Sequence, residues 1–480
     1  MPRIIVVGGG LIGLATSLLI AKQGHDVTVL ERDPEPPPKT PQEAIDGWNR
    51  PNVMQFRLVN FLMPRGRQLL DEHLPEVTAL LAASGAPRYN GIDNMPPGVA
   101  DRAPRPGDER FATLATRRQL LEYAMATVAA PVVDVRRGVH VTGLLSDGRR
   151  RVTGVQLGGG SLGARELAAD LVIDASGRRS PLPGWLDAIG GAAPAEESED
   201  LGFVYYGRFF QGPPGAALRI PAGLFHYDCY SVLVLPSDSG TWNATIVLSS
   251  RDHPLRQLRE EANFTKLLSA CVLHAPVLSL QPITGMLAAA GTSDRLRPLT
   301  TGTVTSGTVT SGTGPVVTGL LTVGDSWACT NPSLGRGITV GLMHALATAE
   351  AVGGGLDDPA ALAAEHDRLT RARVLPWYRA TTQLDRRRAA QVAAAIEGRP
   401  PAPPDGPPNP AAKVVRDVSA AMMVDADSFR AYLELTFMLA LPDDLLARPG
   451  FADHALKIAA SLPPPPPAAP PRPELLSMLS

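Results

Sequence analysis

Apolar and polar positions follow two rhythms along this chain, and the first thirty residues show both. "RIIVV" (3–7) is an unbroken β-branched run of the kind buried on both faces of a parallel sheet. Leu11, Leu14, Ala15, Leu18, Leu19 and Ala21 then recur at helical spacing, Gly24 stops the helix, and "DVTVL" (26–30) is a second strand closed by Glu31. Further on, "GRQLLDEHLPEVTALLAA" (66–83) reads as a helix with a proline inside it, and "TRRQLLEYAMATVAA" (116–130) as a helix capped by Thr116. "VHVTGLLSDGRRRVTGVQL" (139–157) is a hairpin turning at Asp147-Gly148, and "ADLVIDASGRRSPL" (169–182) returns to a buried strand ending in a small-residue loop.

From about residue 200 the rhythm shifts to period two. "FVYYGRFF" (203–210) alternates, with Val204, Tyr206, Arg208 and Phe210 on one side, and "YSVLVLPSDSGTWNATIVLSS" (230–250) forms a second hairpin. Aromatic residues are denser here than elsewhere, which marks a second layer with one ring-rich face. Each ring taken singly reads as sheet core, while the group together is a candidate wall for an apolar pocket. "TVTSG" stands twice in tandem at 303–312, a lengthened hairpin tip rather than a repeat architecture. "LLTVGDS" is again a strand running into a loop, "ITVGLMHALATAEAV" is helical, and 359–460 is mostly helical patterning broken by "RPPAPPDGPPNP". The tail "LPPPPPAAPPRP" reads as extended, solvated polyproline.

Composition narrows the classes. The 480 residues are enough for a large α/β body with an inserted second layer, and a net charge of −2 offers no basic field for nucleic acid or an anionic membrane. The longest apolar stretch, "LIGLATSLLIA", is too short to span a bilayer, and the N-terminus lacks signal-peptide features, so a cytoplasmic protein is expected. Cys229, Cys271 and Cys329 show no paired spacing and the nine histidines do not cluster, so no metal site is expected. There is no G-x-S-x-G elbow for a nucleophilic serine. The basic runs "GRRR" (148–151) and "LDRRRAA" (384–390) read as solvated faces.

The chemistry lies in the glycines. Gly8, Gly10 and Gly13, with Leu11 and Ile12 between the last two, form G-x-G-x-x-G between a strand and a helix, and Glu31 follows 18 residues after Gly13. Gly8 serves the tight turn, Gly10 lets a pyrophosphate approach the backbone, and Gly13 lets helix and strand pack closely. The helix N-terminus offers unpaired N–H groups to the phosphates, and the acid is spaced for a ribose hydroxyl. Both NAD and FAD remain open on this unit alone.

Three separated pieces together resemble the FAD-dependent monooxygenases of the para-hydroxybenzoate hydroxylase-like superfamily: the N-terminal unit, the "TRRQLLE" helix, and "GDSWACTNPSLGRG" (324–337) running into a helix. The resemblance covers roughly residues 1–350. It implies a Rossmann-like, glutathione-reductase-type FAD-binding domain with an inserted mixed β-sheet substrate domain and a helical C-terminal region. On this reading 1–195 is the first part of the FAD domain, with small substrate-domain insertions around 50–110. Residues 196–298 are the substrate sheet, 299–355 the return of the FAD domain, 356–460 the helical region, and 461–480 the Pro-rich tail. Asp325, after Gly324, would take the FAD ribitol, and Pro332, Gly335, Arg336, Gly337 and Ile338 would form the ring-side loop and helix start. Glu31 and its neighbour Arg32 would serve the adenosine side, Arg118 the ribose or phosphates in preference to Arg117, and Arg50 the pyrophosphate. Gln55, Tyr206, Phe210, Phe225 and Tyr227 are the candidate substrate residues, and no catalytic residue is named.

The expected reaction is insertion of one oxygen of O2, through a 4a-hydroperoxyflavin, into an apolar natural-product-like molecule of secondary metabolism, by alkene epoxidation or hydroxylation. Two departures from the superfamily pattern bear on this. "DASGRRS" (174–180) stands where many hydroxylases have an Asp-Gly motif tied to NAD(P)H, so electrons come from NAD(P)H directly or through a separate flavin reductase partner. "GDSWA" replaces Gly-Asp-Ala-Ala-His, and "NPSLGRG" is similar to the loop of bacterial polyether- and squalene-type epoxidases. The Trp-x-Trp-x-Ile-Pro segment of tryptophan halogenases is absent, since Trp48, Trp185, Trp242, Trp327 and Trp377 are scattered. The alternatives are a flavin reductase or dehydrogenase of the geranylgeranyl-reductase type, and a protein that uses FAD without redox chemistry.

Overall fold

The computed structural model describes residues 2–148, 150–158, 165–213, 218–220, 223–300, 304–305, 308–309, 315–400, 409–463 and 469–479. The β-branched run Arg3–Val7 (β1) occupies the middle of a five-stranded parallel sheet. Helix α1 (Leu11–Ala21) carries the chain back to β2 (Asp26–Glu31), which pairs with β1 in the register Ile4 to Val27 and Val6 to Val29. After α2 (Arg118–Ala129), β3 (Asp134–Arg137) adds outside β2, while β4 (Leu171–Asp174) and then Leu320–Thr322 add on the other flank of β1. All four pairings are parallel, and Ile4, Ile5, Val6 and Val7 are buried, as such a run requires.

The insertion contributes β5 (Phe203–Gln211), β6 (Tyr230–Pro236) and β7 (Thr241–Ser249), the centre of a six-stranded sheet. Its pairings among the described residues are all antiparallel, where a mixed sheet was expected. Val204, Phe210, Tyr230, Val232, Trp242 and Ile246 pack on one face against Phe264, Leu267 and Leu268 of the helix Glu261–Ala270. The ring-rich face is therefore covered by protein.

The chain then returns through Leu320–Thr322 into helix α3 (Gly337–Gly353), which lies against α1. The approach is close. A Cβ at Gly341 would lie 2.6 Å from the Ile12 side chain, and one at Gly13 would overlap the carbonyl oxygen of Gly8. Helix α4 (Leu375–Ile396) follows, and its buried positions Tyr378, Thr381, Thr382, Asp385, Arg388 and Val392 form a largely polar stripe.

Several local expectations change. The 66–83 helix is two helices, Pro64–His73 and Pro75–Ala83, because Leu74 before the proline leaves the helical region at φ −138°, ψ 55°. Thr116 does not cap α2, whose N-cap is Arg117 without a side-chain bond. The duplicated "TVTSG" yields an antiparallel pair, Val304–Thr305 with Thr308–Val309, and its other residues lie outside the described ones. The stretch 384–390 is not a solvated face. Arg388 is buried and donates to the carbonyls of Tyr227 and Tyr230, and Arg386 bridges Glu197 and Glu199.

The described part of the tail is not a solvated arm either. Arg472–Leu479 is a helix (α5) whose Leu475 and Leu479 join the core beneath the inserted sheet. Arg472 pairs with the buried Asp252, and Tyr230 donates its hydroxyl to the Pro470 carbonyl. Leucines four residues apart supplied an apolar stripe that the preceding prolines masked. Among the described residues, no helix is long and apolar enough to cross a membrane.

Candidate cofactor and substrate site

A cavity of about 1880 Å³ lies between the parallel sheet, the inserted sheet and α4. That is about twice the upper end of the usual range of roughly 300–1,000 Å³ for one small-molecule pocket, so a dinucleotide and a substrate fit together.

At one end the β1–α1 turn forms its wall. Gly8 stands at φ +111°, where a Cβ would press to 2.5 Å on the Ala175 carbonyl, while a Cβ at Gly10 would meet nothing within 4 Å. The N-terminus of α1 has neither a side-chain cap nor an acid in its first turn, and the N-terminus of α3 shares both traits. Both helix starts line the cavity, so two sets of free N–H groups and two positive dipole ends face it.

Glu31 is 4% exposed and held on both oxygens. Its Oε2 accepts from Gly9 N at 2.8 Å and from Arg50 Nη2 at 2.6 Å, and its Oε1 accepts from Asp33 N at 2.9 Å. Arg50 lines the cavity, yet its guanidinium also binds Asp33, Glu122 and the Gly9 carbonyl. Three carboxylates raise its pKa against burial. Arg50 thereby neutralises an acidic cluster and orients Glu31. Arg118 lines the cavity and is steadied by Glu122 at 2.6 Å. Arg117 turns away to Asp238, a carboxylate with no exposed surface in the inserted sheet.

At the other end, Gly324–Ser326 forms a single turn after the sheet. His344 Nδ1 accepts from Gly324 N at 3.2 Å, and Arg295 donates to the Asp325 carbonyl at 2.7 Å. Burial holds His344 well below its usual pKa, hence neutral, which lets it accept that bond. The Asp325 backbone is thereby fixed, while its carboxylate has no hydrogen-bond partner among the described residues and faces the cavity. In the next loop Asn331 accepts from Ser333 N and from the Tyr205 hydroxyl, and Gly335 takes φ +66°. Arg336, 5% exposed, donates to the Leu435 carbonyl at 2.7 Å and to Thr381. Burial pulls its pKa down to about 10. Trp327 is buried edge-on against His344, away from the cavity.

Of the residues expected from sequence, Gly8, Gly10, Leu11, Ile12, Gly13, Glu31, Arg32, Arg50, Arg118, Asp325, Pro332, Gly335, Arg336, Gly337 and Ile338 line this cavity, as does Gln55. Gly324 stands behind it, against Ile12. Tyr206, Phe210 and Tyr227 do not reach it, since they pack in the core on the far face of the inserted sheet. Phe225 packs edge-on against His274. For Tyr206, Phe210 and Tyr227 the substrate-side expectation chose the face turned from the cavity. Phe203, Leu233, Leu235 and Val247 are the apolar strand residues of the inserted sheet that line the cavity, beside the polar Ser231 and His226, with Phe61 and Phe437 from other segments. Ser333, Asp385, Arg387 and Gln391 also line it and were not anticipated. Along α4, Asp385 stands three residues before the buried Arg388, and Arg387 and Gln391 stand four apart, polar helical spacings that the run of arginines obscured. Arg178 is engaged by the carbonyls of Ser293 and Thr330, which leaves Arg179 as the exposed cation of that loop.

The fold and the cavity suit a bound dinucleotide, and comparison with known proteins bears on which one. Residues 3–45 match the family model described as FAD dependent oxidoreductase. The chain is 28% identical over 356 residues to Protein Rv3254 of Mycobacterium tuberculosis, with 71% of each chain covered. It is 25% identical over 261 residues to kynurenine 3-monooxygenase of Myxococcus xanthus, spanning 51% of this chain and only 50% of that one. Among solved structures, the flavin-dependent brominase Bmp2 superposes with a TM-score of 0.56 at 14% identity, over 95% of this chain and 93% of the other. The flavin-dependent halogenase CmlS does so at 0.53 and 16%, over 99% and 76%. These structural likenesses show the fold. Together the findings support an FAD-dependent oxidoreductase with monooxygenase-like relatives.

The residues present fit FAD. Gly10 leaves the open cradle a pyrophosphate needs, two uncapped helix starts face the cavity, and Asp325 presents a carboxylate that no hydrogen bond engages among the described residues.

Proposed function

We propose that the protein is an FAD-dependent monooxygenase that places one oxygen atom of O2 on an apolar, natural-product-like substrate, by alkene epoxidation or hydroxylation. The carrying observation is the continuity of one cavity, in which the dinucleotide cradle at Gly10 and Glu31 runs into apolar walls at Phe203, Leu233, Leu235 and Val247. FAD, when bound, supplies the redox and oxygen-activating chemistry. The chain does the rest. The starts of α1 and α3 receive negative charge, Glu31 accepts from the adenosine ribose, and Asp325 accepts from the ribitol hydroxyls. Arg118 meets the ribose or phosphates. Pro332–Gly337 would border the flavin ring, and the apolar strands would exclude water from the reacting space.

Electrons come from NAD(P)H directly or through a separate flavin reductase, and the engagement of Arg178 by backbone carbonyls favours the second route. The "NPSLGRG" loop supports an epoxidase-type site, and the breadth of the cavity admits a polycyclic or chain-like substrate. The test is direct. Purified protein should carry flavin absorbance, which Gly10→Val removes. Reduced protein mixed with 18O2 should place label in the product of a substrate found by screening apolar natural-product extracts. Turnover without label, with reduction of a carbon–carbon double bond instead, would replace this reading by the reductase one.

A further inference from the structure

At the cofactor end of the cavity, Glu31 and Glu122 answer the charges of Arg50 and Arg118. At the end between α4 and the helix Pro410–Ala421, three arginines are not answered in this way. Arg388 is 7% exposed and lines the cavity. Its Nε donates to Ser231 Oγ at 3.2 Å and its Nη2 to the carbonyls of Tyr227 and Tyr230, while its Nη1 has no hydrogen-bond partner among the described residues. Asp228, the carboxylate that bears on it, is exposed and accepts from Arg472 N. Arg387, half-buried, lines the cavity with neither a hydrogen bond nor an ion pair among the described residues. Arg416 lines it from the other helix and has Asp417 at 3.9 Å, a carboxylate that Lys413 already holds at 2.6 Å. Burial lowers the pKa of Arg387 and the charge of Arg416 lowers it further, so two like charges bear on each other here. Arg386 and Arg399 also border this end, but glutamates pair with both.

Guanidinium groups withdrawn from water without a counter-charge are costly to the fold, and an anionic ligand removes that cost. Three of them at one end of a cavity suit a group with several acceptor oxygens and more than one negative charge, and the planar fork of arginine matches phosphate. We propose that Arg387, Arg388 and Arg416 form a phosphate subsite, which takes the phosphoryl group of a second ligand bound beside FAD. This rests on the reading that one cavity holds both the cofactor and a further molecule. Ser231 and His226 lie next to Arg388 on the cavity wall, and Leu233, Leu235 and Val247 continue that wall as an apolar surface. A ligand following it is charged at one end and apolar along its body. The subsite anchors and orients, and no bond is made or broken there. Two sources share this chemistry: a phosphate or diphosphate ester of an apolar chain, and the phosphates of a nicotinamide dinucleotide.

The experiment uses FAD-loaded protein and isothermal titration calorimetry, with decyl phosphate, decan-1-ol and the redox-silent NADP+ as probes. Arg387→Ala and Arg416→Ala carry the test because neither side chain holds a backbone carbonyl, whereas Arg388 ties down Tyr227 and Tyr230. Wild type should bind decyl phosphate at least about tenfold more tightly than decan-1-ol, and each variant should lose about tenfold for the phosphate. Affinity for decan-1-ol and flavin content should stay at wild-type values in both, and Arg387→Lys should restore part of the phosphate affinity. The preference for phosphate should shrink as salt rises. Arginine-dependent binding of decyl phosphate assigns the group to an apolar ester, and arginine-dependent binding of NADP+ alone assigns it to the dinucleotide. Equal affinity for decyl phosphate and decan-1-ol with no NADP+ binding, or variants that bind every probe as wild type does, overturns the subsite. Absence of 18O from every product would overturn the monooxygenase reading while leaving these affinities intact, so the two failures are distinguishable.

Discussion

Removing the Asp325 carboxylate should weaken FAD binding without weakening the fold. Its backbone is already held by Arg295, and its neighbour Gly324 by His344, whereas the carboxylate itself has no hydrogen-bond donor among the described residues. Asp325→Ala therefore breaks no hydrogen bond among the described residues. What it removes is the acceptor for a ligand hydroxyl, and a hydrogen bond to a charged group contributes about 1.5–3 kcal/mol. At about 1.4 kcal/mol per factor of ten, FAD affinity should fall about 10- to 150-fold. Asp325→Asn keeps an acceptor oxygen and should lose less. The assay is fluorescence titration of apoprotein with FAD, paired with thermal melts of apo and holo forms. Apo D325A should melt with apo wild type, and only the holo form should fall behind. Glu31→Gln is the contrast, because Glu31 also holds Gly9, Asp33 and Arg50, so apo stability and affinity should drop together. Wild-type FAD affinity in D325A, or an apo melting loss as large as the holo loss, would refute the assignment of this carboxylate to the cofactor.

Three further outcomes are expected. Gly341→Val should cost about 1–3 kcal/mol of stability by overpacking, since even its Cβ would fall 2.6 Å from Ile12, and Ile12→Ala should recover part of the loss in urea unfolding. His366 is buried against His344 and held down to about 4, whereas the unfolded chain takes up that proton near 6.5. The unfolded state thus binds more protons between those values, so stability should decline as pH falls from 6.5 towards 4, by roughly 2 kcal/mol at pH 5, and His366→Gln should flatten the decline in urea midpoints. Deleting 469–479 should expose the seat of Leu475 and Leu479 and strip Asp252 of Arg472, so limited proteolysis should open the inserted sheet before the parallel one.

The legible parts of this molecule are those whose physics is local. Gly8, Gly10, Gly13 and Glu31 lie within one strand–helix–strand unit, where backbone approach and helix start require those residue types at those spacings, and all four line the cavity. The 324–337 loop was legible for the same reason. Tyr206 and Phe210 misled because β5 is apolar on both faces: period two separates the faces but carries no sign saying which one meets a partner sheet or a cavity. Asp385 escaped notice because Ser333, whose hydroxyl it accepts, stands 52 residues away, and because a run of arginines disguised its burial. Arg50 borders the cavity as expected, but its three carboxylate partners come from separated positions and were not legible beforehand.

One side chain joins segments more than 300 residues apart. Ile12, on α1, packs beneath both Gly324 and Gly341, so the 324–337 loop and helix α3 are referenced to one atom cluster on α1. The consequence is one of inheritance. Residues 3–31 and 320–353 form a single exchange unit, and a chimera that imports one from a relative without the other brings a foreign surface against Ile12. The sheet between them meets no such constraint at that seam, which leaves its cavity-facing strands free to diverge in substrate while the cradle stays as it is.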